Sequence, residues 1–238
     1  MKEKDLQFDR TKHVCYSKVG KTLVLDYLNK HYPAEEVEPL FEKVQLQFVE
    51  FLKDTPYLGG KQCRHNQAGG TYDCFLLFAL YEVLDHQVTM DEMYEMVNAG
   101  FLPSFEKLGK VFNLNTPWVL KLMQRVFKAV EKQDQKTLER GAEGYITVVE
   151  PFDEEQGIRY HFDRCPIAEF AKKHGYLAIM PAFCNGDYPA MELVHGGLIR
   201  RHTCANSDIC DYQIVGDKSS VYTENPCLTD EKGYFYNQ

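Results

Sequence analysis

The feature that most restricts the fold of this chain is a change in the spacing of its apolar residues near Gly141. Before that point, as over residues 37–52, apolar residues recur every three or four positions, which places them on one face of a helix. After it, as over residues 158–163, apolar and polar residues alternate, which is the period of a strand with one buried face. The sequence therefore predicts an α+β fold, in which a helical region (residues 1–135) precedes an α+β domain (residues 136–238) with a small antiparallel sheet flanked by helices.

The helical region contains its own start and stop signals. Thr89 and Glu92 have the spacing of a capping box, and Gly100 fits the C-terminal stop of the same helix. Thr116 followed by Pro117 predicts the start of another helix. Because no Pro-, Gly- or Ser-rich linker separates the two regions, we expect them to pack as one unit.

The second region has the predicted order β-β-α-α-β-β. Its last two strands, residues 198–205 and 210–215, are expected to pair as a hairpin around Asn206, Ser207 and Asp208. The second of its two helices, over residues 187–194, is expected to be capped by the Asp187 carboxylate and closed by Gly196 and Gly197. Without crossover helices between paired strands, the sheet should be antiparallel with helices on one side.

Charge and hydropathy restrict the partner and the location. In 238 residues, Lys and Arg number 27 and Asp and Glu number 35, giving a net charge of −8. Such a surface repels phosphate backbones, so we expect no nucleic-acid partner. The longest apolar run, residues 74–81, is about a third of a membrane span, and the first residues lack the apolar stretch of a signal peptide. We therefore expect a soluble, cytoplasmic protein whose partner is a small molecule and that has no membrane partner.

Eight cysteines occur in the chain, and in a reducing cytosol we expect them to be free thiols. No two of the later ones are separated by the two to four residues typical of a zinc finger. A metal site assembled from distant positions stays open as an alternative, although the sequence requires no cofactor. Its candidate ligands are Cys165, Cys184, Cys204 and Cys210, with His161 or His202.

Reactive side chains concentrate between residues 159 and 211. Cys184 precedes a predicted helix start, where the positive end of the helix dipole lowers a thiol pKa, so it is a candidate nucleophile. Arg201 and Asp211 lie on adjacent predicted strands, where facing side chains meet. Two interpretations of this arginine stay open, a structural ion pair and a clamp for a substrate carboxylate.

Four short motifs follow one another in this stretch: Cys165-Pro166, Cys184 with Asp187, Arg201-His202-Thr203, and Cys210-Asp211-Tyr212. Together they resemble the L-2-amino-thiazoline-4-carboxylic acid hydrolase family, which typically shows Cys-Pro, Cys-x-x-Asp, Arg-x-Thr and a Gly-rich turn leading into Cys-Asp-Phe. This chain departs from that pattern at two places, since the turn at 206–208 lacks the glycine and Tyr212 stands where Phe is usual. The final hairpin is also similar to vinyl-reductase-type ligand-binding domains.

The resemblance implies hydrolysis of a small cyclic isothiourea carboxylate, by addition of water to the ring carbon between sulfur and nitrogen. Arg201 would bind the carboxylate, Asp187 or Asp211 would pair with the amidinium or activate water, and Cys184 would attack the ring carbon. The alternative function on the same fold is a non-catalytic module that binds a small molecule or a metal. The implied catalytic residues are Cys184, Asp187 and Asp211, and the implied substrate-binding residues are Arg201, Thr203, Cys165 and Cys210.

Overall fold

The first half of the chain is helical, as predicted, in a computed structural model that describes residues 16–60 and 63–238. A 3₁₀ segment, Arg64–Gly69, precedes the third helix of this region. The helices are Lys18–His31 (α1), Ala34–Asp54 (α2), Gly70–Val83 (α3), Met90–Gly109 (α4) and Pro117–Leu138 (α5).

Local signals explain most of the helix boundaries. The capping box of Thr89 and Glu92 is confirmed at the start of α4, and Pro117 is the first residue of α5. The prediction that α4 stops at Gly100 is wrong, because the helix continues to Gly109. Glycine inside a helix costs only about 1 kcal/mol, and here it provides space, since a Cβ at Gly100 would lie 2.9 Å from the Leu23 side chain on α1.

The second half contains a four-stranded antiparallel sheet with the order β1-β2-β4-β3. Tyr160 pairs with Tyr212 and Phe162 pairs with Cys210 across the two central strands, so motif residues of β4 lie beside the aromatic residues of β2. The strands are Ile146–Val149 (β1), Ile158–Arg164 (β2), Gly196–Ile199 (β3) and Cys210–Gly216 (β4).

Three helices connect β2 to β3: Pro166–His174 (α6), Met180–Cys184 (α7) and Asp187–Leu193 (α8). The expected cap on α8 is wrong, because Gly186 occupies the N-cap position and no side chain caps the helix. The Asp187 carboxylate instead turns towards the sheet, as described below. Gly196 and Gly197 belong to β3, and the turn after α8 is made by His195, whose φ is 56°.

The predicted hairpin of β3 and β4 forms, but its first strand is shorter than predicted. It ends at Ile199, and the predicted strand residues from Arg200 onwards lie in a loop. Side chains replace the strand ladder there, because Asp211 accepts the backbone N–H groups of Arg201 and His202. This loop of residues 200–209 brings the arginines next to the helices.

The last residues form a short helix, Ser220–Thr223 (α9), and a separate two-stranded sheet of Cys227–Thr229 (β5) and Phe235–Asn237 (β6). The sequence pattern did not predict these elements. Asn237 on β6 fixes the neighbouring chain, since its Oδ1 accepts the backbone N–H of Arg200 at 3.0 Å and the Tyr188 hydroxyl at 2.9 Å.

Two apolar cores hold these elements together. One packs α1–α4 against α6 and includes Phe170 and Cys210 from the second region, while the other lies between α5 and the sheet around Ile158 and Ile214. The division at residue 135 stays a prediction. No helix in the described ranges has both the length and the apolarity needed to cross a bilayer.

Candidate functional site

The centre of the candidate site is Arg200, whose side chain is only 1% exposed. Its Nη1 donates to Asp187 Oδ2 at 3.0 Å, and its Nη2 donates to the carbonyl oxygen of Cys184 at 2.8 Å. The guanidinium also lies over the rings of Tyr188 and Tyr212, at 5.1 and 5.5 Å from their centroids. An anion, a carbonyl and two aromatic faces together offset the cost of burying this charge.

Chain topology brings these groups together from four elements. Arg200 is the first residue after β3, Cys184 ends α7, Asp187 begins α8 and Tyr212 lies on β4. Because α8 leads directly into β3, the start of the helix and the end of the strand lie side by side. The fold therefore places an acid from the helical layer against an arginine at the edge of the sheet.

Asp187 keeps one oxygen available for a ligand. Its Oδ2 accepts both from Arg200 and from the Tyr212 hydroxyl, the latter at 3.0 Å, and among the described residues no hydrogen bond to Oδ1 is formed. The side chain keeps 32% of its surface accessible. Burial raises the pKa of this carboxyl above its ordinary value, while the charge of Arg200 and the Tyr212 hydrogen bond act in the opposite direction.

Asp187 and four other side chains combine a pKa raised by burial with surface that stays accessible. The four are Cys74, Cys165, Cys184 and Tyr212. Burial is the main cause that raises the pKa of each group, yet each keeps accessible surface. They also interact electrostatically with one another as neighbours. From groups that lie deep in the protein and yet keep accessible surface we infer a shared internal space, and we call the space bounded by these five residues the interior cavity.

Cys165 lies directly at a helix start. It is the N-cap residue of α6, and no side-chain cap hydrogen bond is formed there. The backbone of Ile167 and Ala168 and the Tyr145 hydroxyl act to lower the pKa of its thiol. Burial outweighs these donors and raises the pKa of the Cys165 thiol to about 12. The thiol is therefore protonated at neutral pH.

Cys184 lies just before α8, as predicted, but it is also the last residue of α7. Burial raises the pKa of its thiol well above the ordinary value, and Arg200 only partly opposes this effect. Cys210 lies next to the cavity residues with its thiol pKa also raised by burial.

The remaining predicted site residues lie outside the interior cavity, Arg201 and Thr203 in the loop after β3 and Asp211 at the start of β4. Arg201 has an exposed side chain, so the buried arginine is Arg200 and its acid is Asp187, not Asp211. Asp211 accepts from the backbone of Arg201 at 3.1 Å and of His202 at 2.6 Å. Thr203 is buried, and its hydroxyl donates to Asn206 Oδ1 at 3.1 Å, which stabilises the turn.

The cysteines of the described ranges are all free thiols, as predicted, and Cys15 lies outside those ranges. Within the same ranges, no three His, Cys, Asp or Glu side chains are grouped so that they could hold one metal ion. The metal site considered for Cys165, Cys184, Cys204 and Cys210 therefore has no support from the arrangement of these residues.

Sequence reasoning missed Arg200 and Tyr212 for a physical reason. All four residues of β3 are buried, because both of its faces are covered, so polar–apolar alternation could not show which arginine turns inwards. Tyr212 was visible only as a departure from the Cys-Asp-Phe pattern, and its hydroxyl is the atom that reaches Asp187.

A model of one protein family, described as L-2-amino-thiazoline-4-carboxylic acid hydrolase, matches residues 71–214, which is more than half of the chain. The matched stretch includes the five residues of the interior cavity and Arg200. No curated protein and no solved structure gives a significant match. On the extent of the family match, this chain belongs to the L-2-amino-thiazoline-4-carboxylic acid hydrolase family.

Proposed function

We propose that the protein hydrolyses a small cyclic isothiourea that carries a carboxylate, of the 2-amino-thiazoline-4-carboxylate type. The observation that carries this proposal is the Asp187 carboxylate, which has one oxygen bound to Arg200 and Tyr212 and the other available in the interior cavity. The protonated amidine of such a ring is a small planar cation, which a desolvated carboxylate attracts strongly. The family match supports the same substrate class.

In the proposed reaction, Asp187 acts as the general base. It takes a proton from a water molecule while the water oxygen bonds to the ring carbon between sulfur and nitrogen, giving a neutral tetrahedral intermediate. The carbon–sulfur bond then breaks, the hydroxyl proton passes to the sulfur, and Asp187 releases its proton to solvent. The products are a free thiol and a carbamoyl group on the former ring nitrogen, so one water is consumed per ring opened.

The surroundings of Asp187 suit this role. A general base works best when its pKa lies near the working pH, and burial raises the pKa of Asp187 in that direction. Arg200 and Tyr212 both bind Oδ2 and so fix the orientation of the carboxylate. The buried thiols of Cys165 and Cys184 stay protonated, which favours direct attack of water over a covalent intermediate on sulfur.

The test compares Asp187 with Asp211, because the family resemblance implies a catalytic role for both. Asp187→Asn should lower kcat for 2-amino-2-thiazoline-4-carboxylate by about 10²–10⁴-fold, the usual contribution of a general base. Asp211→Asn is the matched control and should keep turnover near that of the wild type, because Asp211 binds loop backbone. Turnover is measured as release of free thiol, and thermal melting verifies that both variants are folded.

Three outcomes would contradict the proposal. Full activity of Asp187→Asn would remove the proposed base, and loss of activity in Asp211→Asn alone would assign the base to the loop. Binding of the compound by the wild type without thiol release would leave the non-catalytic ligand-binding alternative. Mass spectrometry of enzyme quenched during turnover should detect no adduct on Cys184, whereas an adduct would establish the covalent route.

A further inference from the structure

A second buried acid, Asp134, is not used by the proposed mechanism. It lies on α5, its side chain is 1% exposed, and its Oδ2 lies 3.0 Å from His65 Nε2. The same oxygen accepts the Thr147 hydroxyl of β1 at 2.5 Å, while Oδ1 is buried without a hydrogen-bond partner in the described ranges. A carboxylate buried in this way is usually paired or hydrogen-bonded, and His65 is the ionisable group that lies against it.

His65 belongs to the same row of aromatic side chains as the interior cavity. Its ring stacks on Tyr145 with centroids 3.9 Å apart, and Phe162 meets its edge at 5.9 Å. The Tyr145 hydroxyl is near enough to the Cys165 sulfur to lower the pKa of that thiol. At the other end of the row, Phe162 lies 5.5 Å from the ring of Tyr212, whose hydroxyl bonds to Asp187.

This arrangement places a histidine and a carboxylate at opposite ends of one aromatic wall. His65 keeps 20% of its side-chain surface accessible. Its Nε2 lies against Asp134, so Nδ1 is the remaining ring nitrogen, and it donates to a ligand when the imidazole carries protons on both nitrogens. The two arginines are placed differently, because Arg200 directs both Nη atoms to Asp187 and Cys184 and Arg201 is exposed on the loop.

We propose that His65, positioned by Asp134, binds the carboxylate of the same ligand whose amidinium is bound by Asp187. The preferred ligand is thus a small zwitterion with a planar cation at one end and a carboxylate at the other. This inference rests on the proposed function and adds to it the group that selects for the carboxylate. His65 is the binding residue, and Asp134 is a positioning residue that acts through it.

The test uses two hydrolysis-resistant ligands that differ only in the carboxylate: 2-iminoimidazolidine-4-carboxylate and 2-iminoimidazolidine. Both are cyclic guanidinium ions in which nitrogen replaces the ring sulfur. Equilibrium binding is measured by calorimetry on the full chain. The wild type should bind the carboxylate compound at least tenfold more tightly, since a hydrogen bond between charged groups contributes about 1.5–3 kcal/mol and 1.4 kcal/mol is tenfold.

His65→Gln should lose most of this preference while its affinity for the carboxylate-free compound stays unchanged. Asp134→Asn should lose part of it, because the ring is then less firmly oriented. His31→Gln is the matched control, since His31 also faces a carboxylate, Glu92 at 3.5 Å, but between helices α1 and α4. It should keep the full preference. A merely structural role of His65 would weaken both ligands equally.

A measurement on the unaltered protein covers the case in which His65→Gln fails to fold. In histidine NMR spectra, the carboxylate compound should shift the His65 imidazole signals, while the carboxylate-free compound and the His31 signals should not respond. If His65→Gln keeps the preference for the carboxylate compound, or if the His65 signals do not respond to it, this inference is wrong. The proposed function still stands in that case, provided that the wild type releases thiol. If the wild type neither binds these ligands nor releases thiol, the proposed function fails with it.

Discussion

The interior cavity and the loop after β3 contain the same pair of residue types, an aspartate and an arginine, and use them differently. In the cavity, Asp187 gives one oxygen to Arg200 and Tyr212 and keeps the other available. Next to the loop, Asp211 at the start of β4 accepts hydrogen bonds from the backbone N–H groups of Arg201 and His202. The comparison teaches that a carboxylate is available for chemistry only where other groups have fixed it and backbone donors have not occupied it.

The largest expected effect separates the two arginines. Arg200→Met should lower the free energy of unfolding by about 3–5 kcal/mol, because it leaves the buried Asp187 and the Cys184 carbonyl without their donor. Arg201→Met should change it by less than about 0.5 kcal/mol, as is usual for an exposed side chain. Urea unfolding of both variants measures the difference. Equal losses would show that the loop arginine has the structural role assigned to Arg200.

The fold was largely predictable because it depends on periodicity. Residues 37–52 repeat an apolar face over about four turns of α2, and residues 158–163 alternate on β2, so burial follows directly from the spacing. The loop from Arg200 was not predictable in this way. Its backbone is held by Asp211 and Asn206 side chains in place of strand neighbours, and such local bonds leave no periodic signal.

The sequence indicated the candidate residues by type and position, but not their geometry, and the roles predicted for them stay predictions. Cys165, Cys184 and Asp187 border the interior cavity, whereas Arg201 is exposed and its neighbour Arg200 binds Asp187. The sequence also gave no reason to connect His65 with Asp134, which are 69 positions apart and meet only because α5 packs against the 3₁₀ segment. Contacts at such separation depend on tertiary packing and not on any local pattern.

The second-largest expected effect is that of removing the Tyr212 hydroxyl, which helps to fix Asp187 in the interior cavity. This hydroxyl donates to Asp187 and so favours the ionised carboxylate, which lowers the pKa that burial has raised. Tyr212→Phe, which restores the Cys-Asp-Phe pattern, should therefore raise the pKa of Asp187 further. Since the base must be ionised, the acidic limb of kcat/KM should move to higher pH, with a loss of about 1–1.5 kcal/mol in unfolding free energy.

A pH–rate profile of the wild type and Tyr212→Phe measures this shift. Tyr236→Phe is a suitable control, because Tyr236 lies on β6 in the separate two-stranded sheet. An acidic limb that stays in place in Tyr212→Phe, or that moves to lower pH, would show that Asp187 is not the group that titrates in catalysis.

The smallest expected effect belongs to the loop itself. Asp211→Ala removes the acceptor for two backbone N–H groups, at 3.1 Å for Arg201 and 2.6 Å for His202. Both groups lie near solvent, and water replaces the carboxylate, so the free energy of unfolding should fall by only about 0.5–1.5 kcal/mol. Ligand affinity per folded molecule should stay unchanged, because the loop fixes its own backbone while Asn237 independently holds the Arg200 N–H. Chemical unfolding and calorimetric titration of this one variant test both statements, and a fall in affinity without a fall in stability would place Asp211 in the ligand site.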